Sequence, residues 1–207
     1  SDGYYMEEAL RIRDAGDIEA NPFYQDGSFA VQGESSMLDA CIVDPQPGEI
    51  LLDACSAPGN KAIHMAERMK GKGQVTAWDI HEHRVRLIQR NCSRMDARIV
   101  VPSVQDASVY QPELRDRFDR VLVDAPCSGL GTISKKPDIK LRVRPEGLSG
   151  LSDLQERILE GCSCYVKPGG VLVYSTCTIN PQENEDVVCR LLKKRRDFVL
   201  EDPLPWL

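Results

Sequence analysis

Ile50-Leu51-Leu52-Asp53-Ala54-Cys55-Ser56-Ala57-Pro58-Gly59-Asn60-Lys61 joins a short apolar run to a Pro-Gly turn and then to an amphipathic stretch that continues to Met69. The apolar run reads as a buried strand and the stretch after the turn as a helix. The same rhythm repeats downstream. Gln74–Asp79 reads as a second strand followed by a helix over about 81–95, residues 99–101 as a weak third strand, and Phe118–Asp124 as a strong fourth. Residues 125–150 read as a long loop rich in Gly, Pro and basic side chains. A helix over 151–165, a turn at 167–170, a strand over 171–175, a helix over 181–194 and a last strand-like run at 198–200 complete the chain. Strands alternating with helices predict an α/β fold with a doubly wound, mostly parallel sheet.

In such a sheet ligands gather outside the carboxyl ends of the strands. The turn formed by Cys55, Ser56, Ala57, Pro58, Gly59, Asn60 and Lys61 sits at the first of those ends. It is neither GxGxxG nor a P-loop, so dinucleotide and nucleoside triphosphate readings lose their main support. Its backbone N–H groups at a helix amino end still suit a carboxylate. Asp79 closes the second strand, where an acid accepts from ribose hydroxyls, and Asp106 follows the third, placed to cap a base amine. Asp53, Asp79, Asp106 and Asp124 thus follow strands one to four, the pattern of a Rossmann-like S-adenosylmethionine-dependent methyltransferase. Read singly, each is as readily a helix cap.

Two further stretches each place a cysteine just after an apolar strand: Asp124-Ala125-Pro126-Cys127-Ser128-Gly129 and Ser175-Thr176-Cys177-Thr178. Fifty residues separate Cys127 from Cys177, so only the fold can bring them together. Two thiols at a sheet edge, one beside an acid, suit covalent attack on an electron-poor ring carbon. On the residues alone either thiol could attack.

The 207 residues, 42% hydrophobic and 28% charged, suit one soluble α/β domain with a short flanking segment. No apolar run spans a membrane, and the first residues lack the design of a signal peptide. The chain does not open on Met and reads as a piece of a longer protein. Of eight cysteines, Cys41, Cys92, Cys162, Cys164 and Cys189 fall at helical positions and read as thiols of a reduced, cytoplasmic protein. There is no CxxC, and His64, His81 and His83 show no ligand pattern, so no metal is expected. The net charge of -6 disfavours a nucleic-acid partner in bulk. Yet Lys135, Lys136, Lys140, Arg142 and Arg144 form a basic stretch beside the Cys127 motif, suited to phosphates. Lys193, Lys194, Arg195 and Arg196 read instead as a solvated helix end.

Together these stretches resemble the RNA cytosine-5 methyltransferase family, most closely its bacterial Sun (RsmB) branch of small-subunit ribosomal RNA enzymes. The matching pieces are residues 53–61, 124–129 and 175–178, with Lys136-Pro137-Asp138-Ile139-Lys140, Asn180-Pro181-Gln182-Glu183-Asn184-Glu185 and residues 29–37. The resemblance covers nearly the whole chain. It implies S-adenosylmethionine as cofactor, RNA as partner with a flipped or single-stranded cytosine, and a monomer. It assigns attack on cytosine carbon 6 to Cys177, release to Cys127, base recognition to Asp124, and a place in the same pocket to Lys61. A tRNA cytosine-5 methyltransferase of the same family and a silent RNA-binding protein with this fold are the alternatives. Two rivals lie outside the family. A methyltransferase of exocyclic amines would keep its activity without either thiol, and one of small molecules would leave the basic loop without a task.

The chain departs from the family at Asn60, where a second glycine is usual, and at Ala62, where a threonine is usual. Asn tolerates the left-handed conformation, so cofactor binding is expected to survive. The resemblance divides the chain into a flank over 1–45 and a methyltransferase domain over 46–207. The chain ends at Trp206-Leu207, ahead of the family's closing strand hairpin, and lacks the Sun branch's amino-terminal RNA-binding region, so it reads as a catalytic core.

Overall fold

The computed structural model describes residues 1–13, 16–142 and 145–203. Two helices, α1 (Pro22–Gln25) and α2 (Glu34–Val43), precede the sheet. The chain then alternates through β1 (Ile50–Asp53), α3 (Asn60–Arg68), β2 (Gln74–Asp79), α4 (Glu82–Arg94), β3 (Val100–Val104) and β4 (Phe118–Asp124). It ends with α5 (Ile139–Arg142), α6 (Pro145–Ser163), β5 (Val166–Ser175) and α7 (Glu185–Lys194). The five strands are all parallel, in the order β3-β2-β1-β4-β5. The doubly wound α/β reading holds.

Alternation along each strand assigns the two faces. Leu51, Val75, Ala77 and Leu122 point to one side, where they pack with Ala40 and Val43 of α2, Ile63, Met65 and Ala66 of α3, and Ile88 of α4. Leu52, Trp78, Val121 and Val123 point to the other, against Ile158, Leu159 and Cys162 of α6 and Val187 and Leu191 of α7. Strand order reverses between β1 and β4, which opens the crevice at their carboxyl ends. β4 and β5 pair in register up to Asp124 opposite Ser175, so the two cysteine loops leave the sheet side by side.

The flank is bound to this body. Arg94 at the end of α4 donates to the carbonyls of Tyr24 (2.7 Å) and Phe29 (2.9 Å) and lies 3.9 Å over the Tyr24 ring. His64 of α3 sits 3.3 Å from Glu8.

Four expectations change. The turn expected at 167–170 lies within β5, at the irregularity where its pairing with β4 shifts register between Phe118 and Arg120. β3 runs through Pro102 to Val104; as an edge strand it has no neighbour that needs the missing N–H. The expected loop over 125–150 contains α5 and the start of α6. Residues 198–200 form no strand: Val199 and Leu200 are exposed, and among the described residues the sheet ends at β5. No helix among the described residues is long and apolar enough to cross a membrane.

Candidate active site

The turn after β1 is built on Gly59, whose φ of +100° is a left-handed conformation. A Cβ there would also meet Ile88 Cγ2 at 2.9 Å, so glycine is required twice over. Asn60 is the first helical residue rather than a left-handed one, so the tolerance expected of it is not needed. Its side chain donates to the Val31 carbonyl at 2.9 Å and ties the upstream loop to the turn. Asn91 donates to the Pro58 carbonyl at 2.9 Å and Arg84 to that of Ala57 at 3.2 Å. Cys55 is partly enclosed, and its desolvation holds the thiol above the ordinary range.

Asp53 is fully buried, and neither of its carboxylate oxygens has a hydrogen-bond partner; Ser56 Oγ is equally unpartnered. Burial pushes the Asp53 carboxyl up to about 7. Asp79 is buried too, but it accepts from the His81 N–H at 3.0 Å and pairs with Arg84 at 3.0 Å. Asp106 accepts from the Ser108 N–H and hydroxyl at 2.8 and 2.6 Å. These two therefore already serve local turns, whereas Asp53 makes no such bond.

At the next strand ends, Cys127 Sγ and Cys177 Sγ lie 3.3 Å apart. Cys177 is the exposed member and Cys127 is partly enclosed. Either sulfur can donate; with Cys127 as the donor, the bond lowers the Cys177 thiol to about 6, while the nearby Asp124 charge opposes the shift and Lys61 assists it. The Cys127 thiol is raised in turn, by that same hydrogen bond and by burial. The pair thus shares a proton, and the exposed sulfur is the better place for negative charge.

Lys61 joins the two halves of the site. Its ammonium reaches Asp124 Oδ2 at 2.6 Å and also contacts Asp39 Oδ2. Burial works against the charge on Lys61, but the two carboxylates more than offset it and raise its pKa. Burial also raises the Asp124 carboxyl, against the pull of Lys61. Ser175 Oγ donates to Asp39 Oδ1 at 2.9 Å, which fixes that carboxylate on the β5 end.

Sequence reading missed Asp39 and gave Glu183 no role. Asp39 is the lone acid in the otherwise apolar stretch 37–43, a sign of a buried pair. Glu183 is fully buried and accepts from Ser128, Asn180 and Gln155. Of the basic stretch, Lys135 and Lys136 are exposed; the side chains of Lys140, Arg142 and Arg144 lie outside the described residues, as do Trp206 and Leu207. Lys194 pairs with Glu156 and Glu160 of α6, and Arg195 with Asp197, as suits a helix end.

A family model described as 16S rRNA methyltransferase RsmB/F matches residues 40–205. A probable ribosomal RNA small subunit methyltransferase B of Bacillus subtilis (strain 168) is 42% identical over 197 residues, which are 95% of this chain and 44% of that protein. A crystal structure of PH0851 is 36% identical with a TM-score of 0.90, covering 94% of this chain and 44% of that one. NSun6 from Pyrococcus horikoshii, solved with the S-adenosylmethionine analogue SFG, is 30% identical with a TM-score of 0.77, covering 85% of this chain and 45% of that one. The chain therefore spans less than half the length of these relatives. With the fold, the order of the motifs and the match over residues 40–205 in agreement, the chain belongs to the RsmB/F family of S-adenosylmethionine-dependent ribosomal RNA methyltransferases.

Proposed function

We propose that this chain is the catalytic region of an enzyme that methylates carbon 5 of a cytosine in small-subunit ribosomal RNA. The observation that carries the reading is the pair of thiols 3.3 Å apart beside the Asp124–Lys61 pair.

Carbon 5 of cytosine is a poor nucleophile until a group adds to carbon 6. Cys177 is the exposed thiol with the lowered pKa, so it is available as thiolate near pH 7. Its attack forms an S–C6 bond and moves an electron pair toward carbon 5 and ring nitrogen 3. Asp124 hydrogen-bonds the edge of the base, and Lys61 holds that carboxylate in place beside the ring. S-adenosylmethionine supplies an electrophilic methyl group to this site. After carbon 5 is methylated, its proton passes to solvent, the C–H electron pair re-forms the ring double bond, and the S–C6 bond breaks to release the Cys177 thiolate. Cys127, adjacent to the bond that breaks, assists release by hydrogen-bonding the leaving sulfur.

The residues present fit the cofactor. The unpartnered oxygens of buried Asp53 suit its ammonium group and the amide-lined turn over 55–61 its carboxylate. Asp79 suits the ribose hydroxyls, and Asp106 suits the adenine amine. Residues 46–207 form the methyltransferase domain; the flank over 1–45 is more than a leader, because α2 contributes Asp39 to the site. The exposed Lys135 and Lys136 contact RNA phosphates, the protein acts as a monomer, and its eight free cysteines suit the reducing cytoplasm.

The test is methylation of small-subunit ribosomal RNA with labelled S-adenosylmethionine, followed by nucleoside analysis. The expected product is 5-methylcytosine, absent with Cys177→Ala. Label in N4-methylcytosine, or undiminished product from Cys177→Ala, would overturn the reading.

A further inference from the structure

Glu183 follows β5 in the 3-10 turn before α7 and is fully buried, an unusual place for a carboxylate. Its oxygens accept from residues of both cysteine loops and from α6. Oε2 accepts from the Ser128 N–H at 2.8 Å and from Gln155 Nε2 at 3.1 Å. Oε1 accepts from the Ser128 hydroxyl at 2.6 Å and Asn180 Nδ2 at 3.1 Å. The hydroxyl of Thr178 lies 3.4 Å from the same oxygen. Ser128 has one hydroxyl hydrogen and gives it to the carboxylate, so Thr178 donates to Ser128 Oγ across their 2.8 Å contact.

Ser128 directly follows Cys127, and Thr178 directly follows Cys177. Gln155 also donates to the Pro126 carbonyl at 2.8 Å, which fixes the residue before Cys127. The Tyr174 hydroxyl donates to the Glu183 carbonyl at 2.6 Å and anchors the turn to β5. Burial alone would raise the Glu183 carboxyl; the donors from Ser128, Asn180 and Gln155 outweigh it and hold the group ionised. A buried anion of this kind tolerates little movement of its donors, because each lost bond leaves charge uncompensated.

We infer that Glu183 is a positioning residue that clamps the Cys127 and Cys177 loops together and so sets the separation of the two sulfurs. The inference deepens the proposed mechanism and rests on the reading that the two thiols work as a pair. Glu183 touches neither sulfur; it acts through Ser128 and Thr178. Glutamine in its place turns an NH2 toward groups that are themselves donors, so one loop must move away.

The experiment compares this chain with Glu183→Gln and Ser128→Ala, without RNA or cofactor. Iodoacetamide alkylation of the Cys177 peptide is followed by mass spectrometry from pH 5 to 10 (assay conditions, roughly bracketing thiol titration). In parallel, diamide accepts the two electrons and two protons released as a Cys127–Cys177 disulfide forms. The alkylation midpoint is expected to rise by about one pH unit or more in Glu183→Gln, and disulfide formation to slow by about tenfold or more. Ser128→Ala moves both in the same direction by less. A folded Glu183→Gln with the parent's midpoint and disulfide rate overturns the inference, whatever its melting temperature. If Glu183→Gln does not fold, an unchanged Ser128→Ala overturns it equally. These readouts are independent of methylation, so a failure of the cytosine chemistry would be seen separately, as missing 5-methylcytosine with the thiol shifts intact.

Discussion

Replacing Cys127 by alanine removes the donor that lowers the Cys177 thiol and leaves Lys61 and Asp124 in place. With the S–H present, Cys177 titrates at about 6. Without it, the midpoint should return toward the ordinary thiol value of ~8.5, because the opposing Asp124 charge and partial burial remain. At pH 7 the thiolate fraction then falls from roughly 90% to roughly 3% by simple titration between those values. A less acidic thiolate is, however, a better nucleophile, by roughly tenfold over this range. The alkylation rate at pH 7 alone therefore changes little, and the informative quantity is the pH midpoint. The assay is iodoacetamide labelling of the Cys177 peptide across pH, with Cys127→Ala against the parent. The expected result is a rise of about two pH units together with a higher plateau. An unmoved midpoint would show that Cys127 does not share a proton with Cys177, and the division of labour between the thiols would lose its physical basis.

Lys61→Met should leave Asp39 and Asp124 facing each other without their cation, costing about 3–5 kcal/mol; chemical denaturation measures it, and a loss below about 1 kcal/mol would remove Lys61 as the link between α2 and β4. Gly59→Ala places a Cβ at φ +100° and 2.9 Å from Ile88 Cγ2. The backbone conformation alone costs about 1–2 kcal/mol, so a lower melting temperature and weaker S-adenosylmethionine binding by calorimetry are expected; unchanged binding would move the cofactor away from this turn. Asp53→Asn tests the unpartnered carboxylate through pH. The Asp53 carboxyl titrates at about 7 in the folded chain, against ~3.9 unfolded. The folded form thus holds its proton more tightly, and stability falls as pH rises between those two values. Relative to the parent, Asp53→Asn should gain melting temperature steadily from about pH 4 to 7 and level off above; a pH-independent difference would show that Asp53 carries no such strain.

Much of this site was legible because it depends on period and position. The apolar runs ending in Asp53, Asp79 and Asp124 marked strands, and parallel alternation placed their ends along one edge. That Cys127 and Cys177 meet follows from β4 and β5 being neighbours in register. What escaped depends on partners distant in sequence. Asp39 is one acid on a flanking helix until Lys61 and Ser175 are brought to it. Glu183 sits in a polar run resembling an exposed helix start, and only the packing of α6 and both cysteine loops buries it. The third strand continues through Pro102 to Val104 because β3 lies at the sheet edge, a position that residues 99–101 by themselves do not reveal. Residues 198–200 have strand-forming side chains but no strand to pair with among the described residues.

The most direct measurement is to incubate Cys127→Ala with small-subunit ribosomal RNA and S-adenosylmethionine, then digest and locate any RNA-linked peptide by mass spectrometry. The account predicts a denaturation-resistant adduct joining Cys177 to a methylated cytosine, with no adduct in the Cys127→Ala, Cys177→Ala double variant. An adduct on another residue, or 5-methylcytosine formed by Cys177→Ala, would contradict it.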